Sequence, residues 1–158
     1  MNESAFTIIS GGQTGADRAA LDVALALGIP HGGWCPRGRL AEDGPIEAQY
    51  QLQETQSRRY EVRTKRNVRE SDATVLFTIA ATVAGGTALT QALAERIGRP
   101  CLHLSRDSSE MPAAELQDFV ARHHVRRLNV AGPRASQVPE IGEFVTQVLT
   151  EALGPLRR

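Results

Sequence analysis

Aromatic residues make up only 4% of this 158-residue chain: one tryptophan, two tyrosines and four phenylalanines. So few rings exclude an extended stacking platform of the kind that single-stranded nucleic acids use. Excess charge is missing as well. Lys plus Arg and Asp plus Glu both number 18, a formal net charge of zero. That balance disfavours DNA or RNA as partners, because binding them needs a strongly basic footprint. The two cysteines, Cys35 and Cys101, form neither a CxxC pair nor a zinc pattern, and the four histidines show no metal-ligand spacing. No metal site is therefore expected, and one structural disulfide is not expected in a reducing cytosol. No apolar run approaches the length of about 18 residues that reads as a membrane span. Nothing at the start reads as a secretory signal, so a cytoplasmic location without membrane contact is expected.

What the chain does have is a rhythm of short apolar runs, loops and amphipathic helices. Phe6-Thr7-Ile8-Ile9 reads as a buried strand. Ala16, Ala19, Ala20, Val23, Ala24 and Leu27 then share one helical face, with Gly28 and Pro30 as stop signals. A weak second strand is expected over 31–35. After it comes the long irregular stretch 36–57, of a kind that usually forms lids, binding loops or partly helical excursions. A polar helix is expected over 60–70, the strand "ATVLFTI" over 73–79, and a helix over 87–97. Further strands are read at 101–104 and 127–132, with a helix from Pro112 between them. A last helix from about Pro139 buries Ile141, Phe144, Val145, Val148, Leu149 and Ala152 on one face. Strands alternating with helices predict a Rossmann-like α/β fold, a three-layer sandwich around a mainly parallel sheet of about five strands. At this length the whole chain, 1–158, is expected to be one domain.

In open α/β sheets, ligands sit beyond the carboxyl ends of the strands. Four loops there carry similar chemistry: "SGGQTG" (10–15), "GGWCPRGR" (32–39), "AATVAGGT" (80–87) and "AGPRAS" (131–136). Gly11 and Gly12 let the backbone turn and approach a ligand, so a bulky side chain at Gly12 would obstruct an anion. Gly15 lies where a helix begins and free N–H groups would face that anion. The pattern is neither GxGxxG nor a Walker A loop, and Cys35-Pro36-Arg37 stand where a dinucleotide site wants an acidic residue. The competing reading is a plain turn with Thr14 and Asp17 as a capping box. "AGGT" (84–87) repeats the logic, with Gly85 and Gly86 before Thr87 at a helix start.

Arg58, Arg59, Arg63, Lys65, Arg66 and Arg69 precede the central strand. They read either as a solvated face or as a guanidinium clamp for phosphate or carboxylate. Glu42-Asp43-Gly44 reads as a turn or as a set of acceptors for sugar hydroxyls or an amino-pterin edge. Trp34 reads as core, interface or a stacking surface.

Taken together, "SGGQTGADRAALD", "GGWCPRGRLAEDGPI", "RTKRNVRESDATVLF", "GGTALT" and "LNVAGPRAS" resemble one family, in order from about residue 7 to about 142. It is the putative molybdenum (cofactor) carrier family, also described as circularly permuted YpsA-like proteins of the SLOG superfamily. The resemblance implies a Rossmann-like fold that binds a nucleotide or a nucleotide-like ligand, molybdopterin or the molybdenum cofactor among them. It also implies a rival, because the superfamily contains phosphoribohydrolases that cleave a base from a nucleoside monophosphate. Their fingerprint is an Arg-Lys pair, then Gly-Gly…Gly-Thr-x-x-Glu. Lys65-Arg66 and Gly86-Thr87 match it, but the glutamate position is Thr90. A hydroxyl there does not replace a carboxylate, so hydrolysis would need Asp17, Glu42 or Asp43 as its catalytic group. A DNA-processing branch makes single-stranded DNA a third and weaker reading.

The expectation is thus a cytoplasmic binding or carrier protein for a phosphorylated, nucleotide-like small molecule, with self-association into a homo-oligomer left open. Its expected ligand-binding residues are Gly11, Gly12, Gln13, Thr14, Gly15, Arg37, Arg39, Arg66, Gly85, Gly86, Thr87, Arg134 and Ser136. Among them the glycine loops hold the anion, and Arg66 is the favoured phosphate clamp.

Overall fold

The apolar runs become the strands of one parallel sheet in the computed structural model, which describes residues 5–157. The elements are β1 (Thr7–Ile9), α1 (Ala16–Leu27), β2 (His31–Gly32), β3 (Trp34–Cys35), β4 (Gln53–Glu54), α2 (Tyr60–Arg69) and β5 (Ala73–Thr78). They continue with α3 (Gly85–Ile97), β6 (Cys101–Ser105), α4 (Pro112–Arg122), β7 (Arg127–Ala131), α5 (Ile141–Leu153) and a 3-10 turn, Gly154–Arg157. The five-stranded sheet has the order β2-β1-β7-β5-β6, and every pairing in it is parallel.

This order has a simple relation to the doubly wound arrangement. Counted along the chain, the five strands lie 2-1-5-3-4. Moving the last unit, β7 with α5, to the front of the chain turns that order into 3-2-1-4-5, the start of the dinucleotide-fold order. The final strand therefore occupies the place that the first strand holds in an unpermuted sheet, and the point of reversal lies between β7 and β5.

The expected strand over 31–35 is split. Its first half, β2, joins the main sheet, whereas Trp34 and Cys35 pair with Gln53 and Glu54 in a separate two-stranded sheet. Gly33 turns the backbone between the two halves with a φ of +131°, and α2 holds the second half. Asn67 accepts the Trp34 N–H at 2.8 Å and donates to the Trp34 carbonyl at 3.0 Å, so this backbone is drawn toward α2.

The two faces of the main sheet differ in chemistry. Side chains alternate between faces along a strand. Ile8, Ala73, Val75, Phe77, Leu104, Leu128 and Val130 point to one face and form a continuous core with α1, α4 and α5. Within it the Phe77 and Phe144 rings meet edge to face at 5.7 Å. All six residues expected to be buried along α5 are in this core. The intervening positions include Thr74, Thr78 and Asn129, which are buried and polar. They belong to the face over which α2 and α3 pack together. A polar sheet face beneath two helices is the ground on which the site is built.

Candidate functional site

A cavity of about 320 Å³ opens at the carboxyl end of the sheet. It lies where β1, β7 and β5 end, across the point of strand-order reversal. Its walls are Gly11 and Gln13 from the β1 loop, Asp17 of α1, and Tyr60, Arg63, Thr64 and Asn67 of α2. Gly86, Thr87 and Thr90 of α3 close one side, and Asn129 with Gly132, Pro133 and Arg134 forms the base and far rim. The volume falls within the range that small-molecule ligands occupy.

Helix α3 begins at this cavity. No side chain caps its N-terminus, and the first turn of any helix leaves backbone N–H groups without intrahelical partners. Gly86 and Thr87, both in that turn, line the cavity, so these donors and the positive end of the helix dipole are offered to an anion. Thr90 also faces the cavity, and its hydroxyl is returned to the Gly86 carbonyl at 3.0 Å. The position that would carry a glutamate in a phosphoribohydrolase is here a self-satisfied hydroxyl.

The β1 loop behaves differently. The Gly12 N–H donates to Ser10 Oγ at 3.2 Å, the Gln13 N–H to Asp17 Oδ2 at 3.3 Å, and the Thr14 N–H to Gln13 Oε1 at 3.0 Å. These three donors are occupied locally, and the Thr14–Asp17 capping box does not form: Asp17 takes the Gln13 N–H, while the Thr14 hydroxyl donates to Glu42 and accepts the Ala135 N–H at 3.1 Å. An added Cβ at Gly12 would lie 2.7 Å from Leu52 and 2.9 Å from Ile46. Bulk at Gly12 therefore meets the 36–57 loop, and its first effect is on packing rather than on ligand approach.

Arg63 explains Gly11. An added Cβ there would lie 1.8 Å from Arg63 Nη1, because the guanidinium rests directly on the loop. Arg63 Nη1 also reaches Asp17 Oδ2 at 3.4 Å, and both side chains are nearly buried, at 9% and 10% exposure. Burial pushes the Asp17 carboxyl above its ordinary value, while the Arg63 charge and the Gln13 N–H oppose that rise.

Glu42 ties three loops together. Its N–H donates to Gln13 Oε1 at 2.8 Å. Its carboxylate accepts the Thr14 hydroxyl, the Ser136 N–H at 3.1 Å and the Ser136 hydroxyl at 2.6 Å. The long 36–57 segment is thus stapled to the β1 and β7 loops. Hydrogen bonds from the Ser136 and Thr14 hydroxyls hold the Glu42 carboxyl below its ordinary value. A carboxyl lowered in the folded state adds stability above its unfolded pKa, and loses it as pH falls through the folded value. Thermal melts from pH 7 down to pH 3 are therefore expected to show a smaller acid-induced drop for Glu42→Gln than for wild type. Parallel curves would remove this staple as a source of acid sensitivity.

The sequence-derived residues divide by place. Gly11, Gln13, Asp17, Gly86, Thr87 and Arg134 line the cavity. Gly12, Thr14, Gly15 and Ser136, in the loops around it, and Gly85, the first residue of α3, do not line it. Arg39 lies elsewhere: its guanidinium donates to the carbonyls of Ile46, Glu47, Tyr50 and Leu52 and organises the long loop. Arg37 is exposed outside the cavity. Asp43 makes a two-pronged pair with Arg18 at 3.0 and 3.1 Å.

Arg66 also lies off the cavity, 3.8 Å above the Trp34 ring and paired with Glu70 at 3.2 Å. The cation that α2 turns inward is Arg63, together with Asn67 one helical turn on. Asn129, Asn67, Tyr60 and Thr64 were not singled out from the sequence. A usable signal existed for Asn129, since a polar residue inside the run "RLNVA" is unusual for a strand buried on both faces.

Among the described residues, no group of three or more His, Cys, Asp or Glu side chains converges as a metal site. No helix there is long and apolar enough to cross a membrane.

No curated protein sequence matches this chain. Among solved structures, it is similar to that of a putative molybdenum carrier protein from Syntrophus aciditrophicus SB, with 45% identity and a TM-score of 0.91. That likeness covers 95% of this chain and 96% of the other. A second likeness, to (E)-4-hydroxy-3-methyl-but-2-enyl diphosphate reductase, has 16% identity and a TM-score of 0.36, covers 92% of this chain and 60% of that one, and carries no argument. Residues 8–153 match the circularly permutated YpsA SLOG family. The permuted strand order, the loops that close around the cavity and this match over nearly the whole length agree: the chain belongs to the circularly permutated YpsA SLOG family.

Proposed function

We propose that this protein is a cytoplasmic binding or carrier protein for a phosphorylated, nucleotide-like small molecule, held in the cavity at the strand-order reversal. The observation that carries this reading is the convergence of the uncapped α3 N-terminus and the Arg134 guanidinium on one polar cavity. Arg134 makes one long ion pair, Nη1 to Glu42 Oε1 at 3.9 Å, its guanidinium lies 5.2 Å from the centre of the Tyr60 ring, and its side chain is 33% exposed. Neither contact uses the guanidinium bidentately, which leaves it donors for a phosphate, where bidentate contacts are strong. The neighbour at 45% identity is named a putative molybdenum carrier protein, which supports the molybdenum cofactor as one candidate for that ligand. With no converging metal ligands among the described residues, such a cargo would be held through its phosphate and heterocycle, by N–H groups and guanidinium.

The rival reading is a hydrolase of nucleoside monophosphates, and one observation favours it. Asp17 is a buried carboxyl in the cavity wall with a raised pKa, which is a trait of general acids and bases. Against it, Asp17 Oδ2 is already engaged by Arg63 and by the Gln13 N–H.

One experiment addresses both readings. Isothermal titration with nucleoside monophosphates, with the same samples assayed for released base, is expected to show binding without turnover. Arg134→Gln should weaken that binding by about one to two decades, the worth of a charge-assisted hydrogen bond. Wild-type affinity in the variant would remove Arg134 from the site. Release of base that is lost in Asp17→Asn would make the protein an enzyme.

A further inference from the structure

Gln13 carries a feature that loop architecture does not explain. Its side-chain oxygen accepts two backbone donors, the Thr14 N–H at 3.0 Å and the Glu42 N–H at 2.8 Å. That pair fixes the orientation of the carboxamide, because a flipped group would set its own N–H against two donors. The nitrogen, Nε2, is consequently a fixed donor. It is buried and has no hydrogen-bond partner, in a residue that is 5% exposed and lines the cavity. Buried donors are rarely left unpaired, and one in a cavity wall calls for a partner from outside the chain.

An acceptor lies on the same side. Asp17 Oδ2 takes the Gln13 N–H and Arg63, which leaves Oδ1 without a hydrogen bond in a side chain that also lines the cavity. Gln13 lies in the loop after β1 and Asp17 in the first turn of α1, whereas the open α3 N-terminus follows β5, with β7 between the two strands. Strands β1 and β5 lie two strand spacings apart, about 10 Å. That is a span bridged when a phosphate and a heterocycle are joined through a sugar or a short side chain.

We propose that Gln13 Nε2 and Asp17 Oδ1 form a subsite that reads the hydrogen-bonding edge of a nitrogen heterocycle, so that the ligand is a phosphate ester bearing such a ring rather than a bare sugar phosphate. This rests on the reading of the cavity as a phosphate-ligand site and adds its opposite end. Purines, pterins and pyrimidines all present the required pattern, an acceptor beside an N–H donor, so the test and not the pattern chooses the ring.

The test is a comparison of affinities in wild-type protein for AMP, GMP, CMP, a phosphorylated pterin, ribose 5-phosphate and inorganic phosphate. At least one ring-bearing ester should bind tenfold or more tightly than ribose 5-phosphate, and which one does so separates purine, pyrimidine and pterin. The variant Gln13→Glu keeps the oxygen that holds Thr14 and Glu42 but deletes the Nε2 donor. It should bring the ratio of ring-bearing ester to ribose 5-phosphate close to one. Reading a ratio cancels any general repulsion from the new carboxylate. Equal wild-type affinity for ribose 5-phosphate and every ring-bearing ester would overturn the subsite and leave the phosphate site standing. A Gln13→Glu ratio as large as in wild type would overturn it too. Failure of all six probes to bind would overturn the cavity reading itself, and this inference with it. The wild-type comparison decides the matter even where the variant does not fold.

Discussion

Replacing Arg63 by methionine is expected to destabilise the protein by about 3–5 kcal/mol at pH 7, the cost of leaving a buried charge without its partner. Arg63 and Asp17 are 9% and 10% exposed, so solvent screens the pair far less than it would at the surface. For a chain of this size that loss lowers the melting temperature by roughly 10 °C. The pH dependence has a definite sign. Burial already holds the Asp17 carboxyl above its ordinary value, and removing Arg63 removes the leading force that opposes the rise. In the variant the folded state then binds a proton more tightly than the unfolded state, so stability falls as pH rises through that window. Melts of Arg63→Met should therefore approach wild type as the pH is lowered toward the ordinary carboxylate range. A loss that does not vary with pH would show that Asp17 is not the group left unpaired. Arg66→Gln is the control: that side chain is 41% exposed in an i,i+4 pair with Glu70 and rests on Trp34. Its removal should cost less than about 1 kcal/mol.

The second large effect is expected at Gly15. Its φ of +81° lies in the left-handed region, and an added Cβ would stand 2.5 Å from the Pro133 carbonyl oxygen and 2.8 Å from the Ala135 nitrogen. Both are backbone atoms of the β7 loop, so no side-chain rotation relieves the contact. Gly15→Val combines backbone strain of about 1–3 kcal/mol with overpacking of about 1–3 kcal/mol, for a total near 4 kcal/mol. The effect on the site is more specific than the effect on stability. Whatever retreats from residue 15 carries Pro133 and Arg134 with it, and both line the cavity. Urea melts should register the first effect, and titration of a nucleoside monophosphate under folding conditions the second. A variant melting within about 2 °C of wild type would mean that the β7 loop yields freely, contrary to the close approach of the two loops.

The elements of this fold are legible in the sequence because their causes are local. The α1 and α5 faces follow from spacing along the chain, and Gly28 and Gly98 end α1 and α3 through left-handed conformations. The strands of the main sheet follow from short apolar runs bounded by glycine and proline. Where a cause is not local, the reading stops. Residues 31–35 read as one strand only from their position in the rhythm of the chain, and the turn at Gly33 (φ +131°) together with the two hydrogen bonds between Trp34 and Asn67 divides them between two sheets.

The site separates along the same line. Glycine loops mark the carboxyl end of the sheet in the sequence, and six of the residues named from it do line the cavity. Which donors remain available there is decided by partners distant in the chain. The N–H groups of Gly12, Gln13 and Thr14 are taken by Ser10, Asp17 and Gln13, and that of Ala16 by the Pro133 carbonyl, whereas the start of α3 opens on the cavity with no side-chain cap. The choice of cation is decided in the same way. Arg63 and Arg66 differ by three positions on one helix, within the error of a helix phase read from a single polar sequence. Packing of α2 against the β1 loop turns Arg63 inward onto Gly11 and Asp17 and leaves Arg66 over Trp34. Spacing along a chain determines which residues share a face, but only the opposing surface, here a glycine with no Cβ to stand in the way, determines which face is inside.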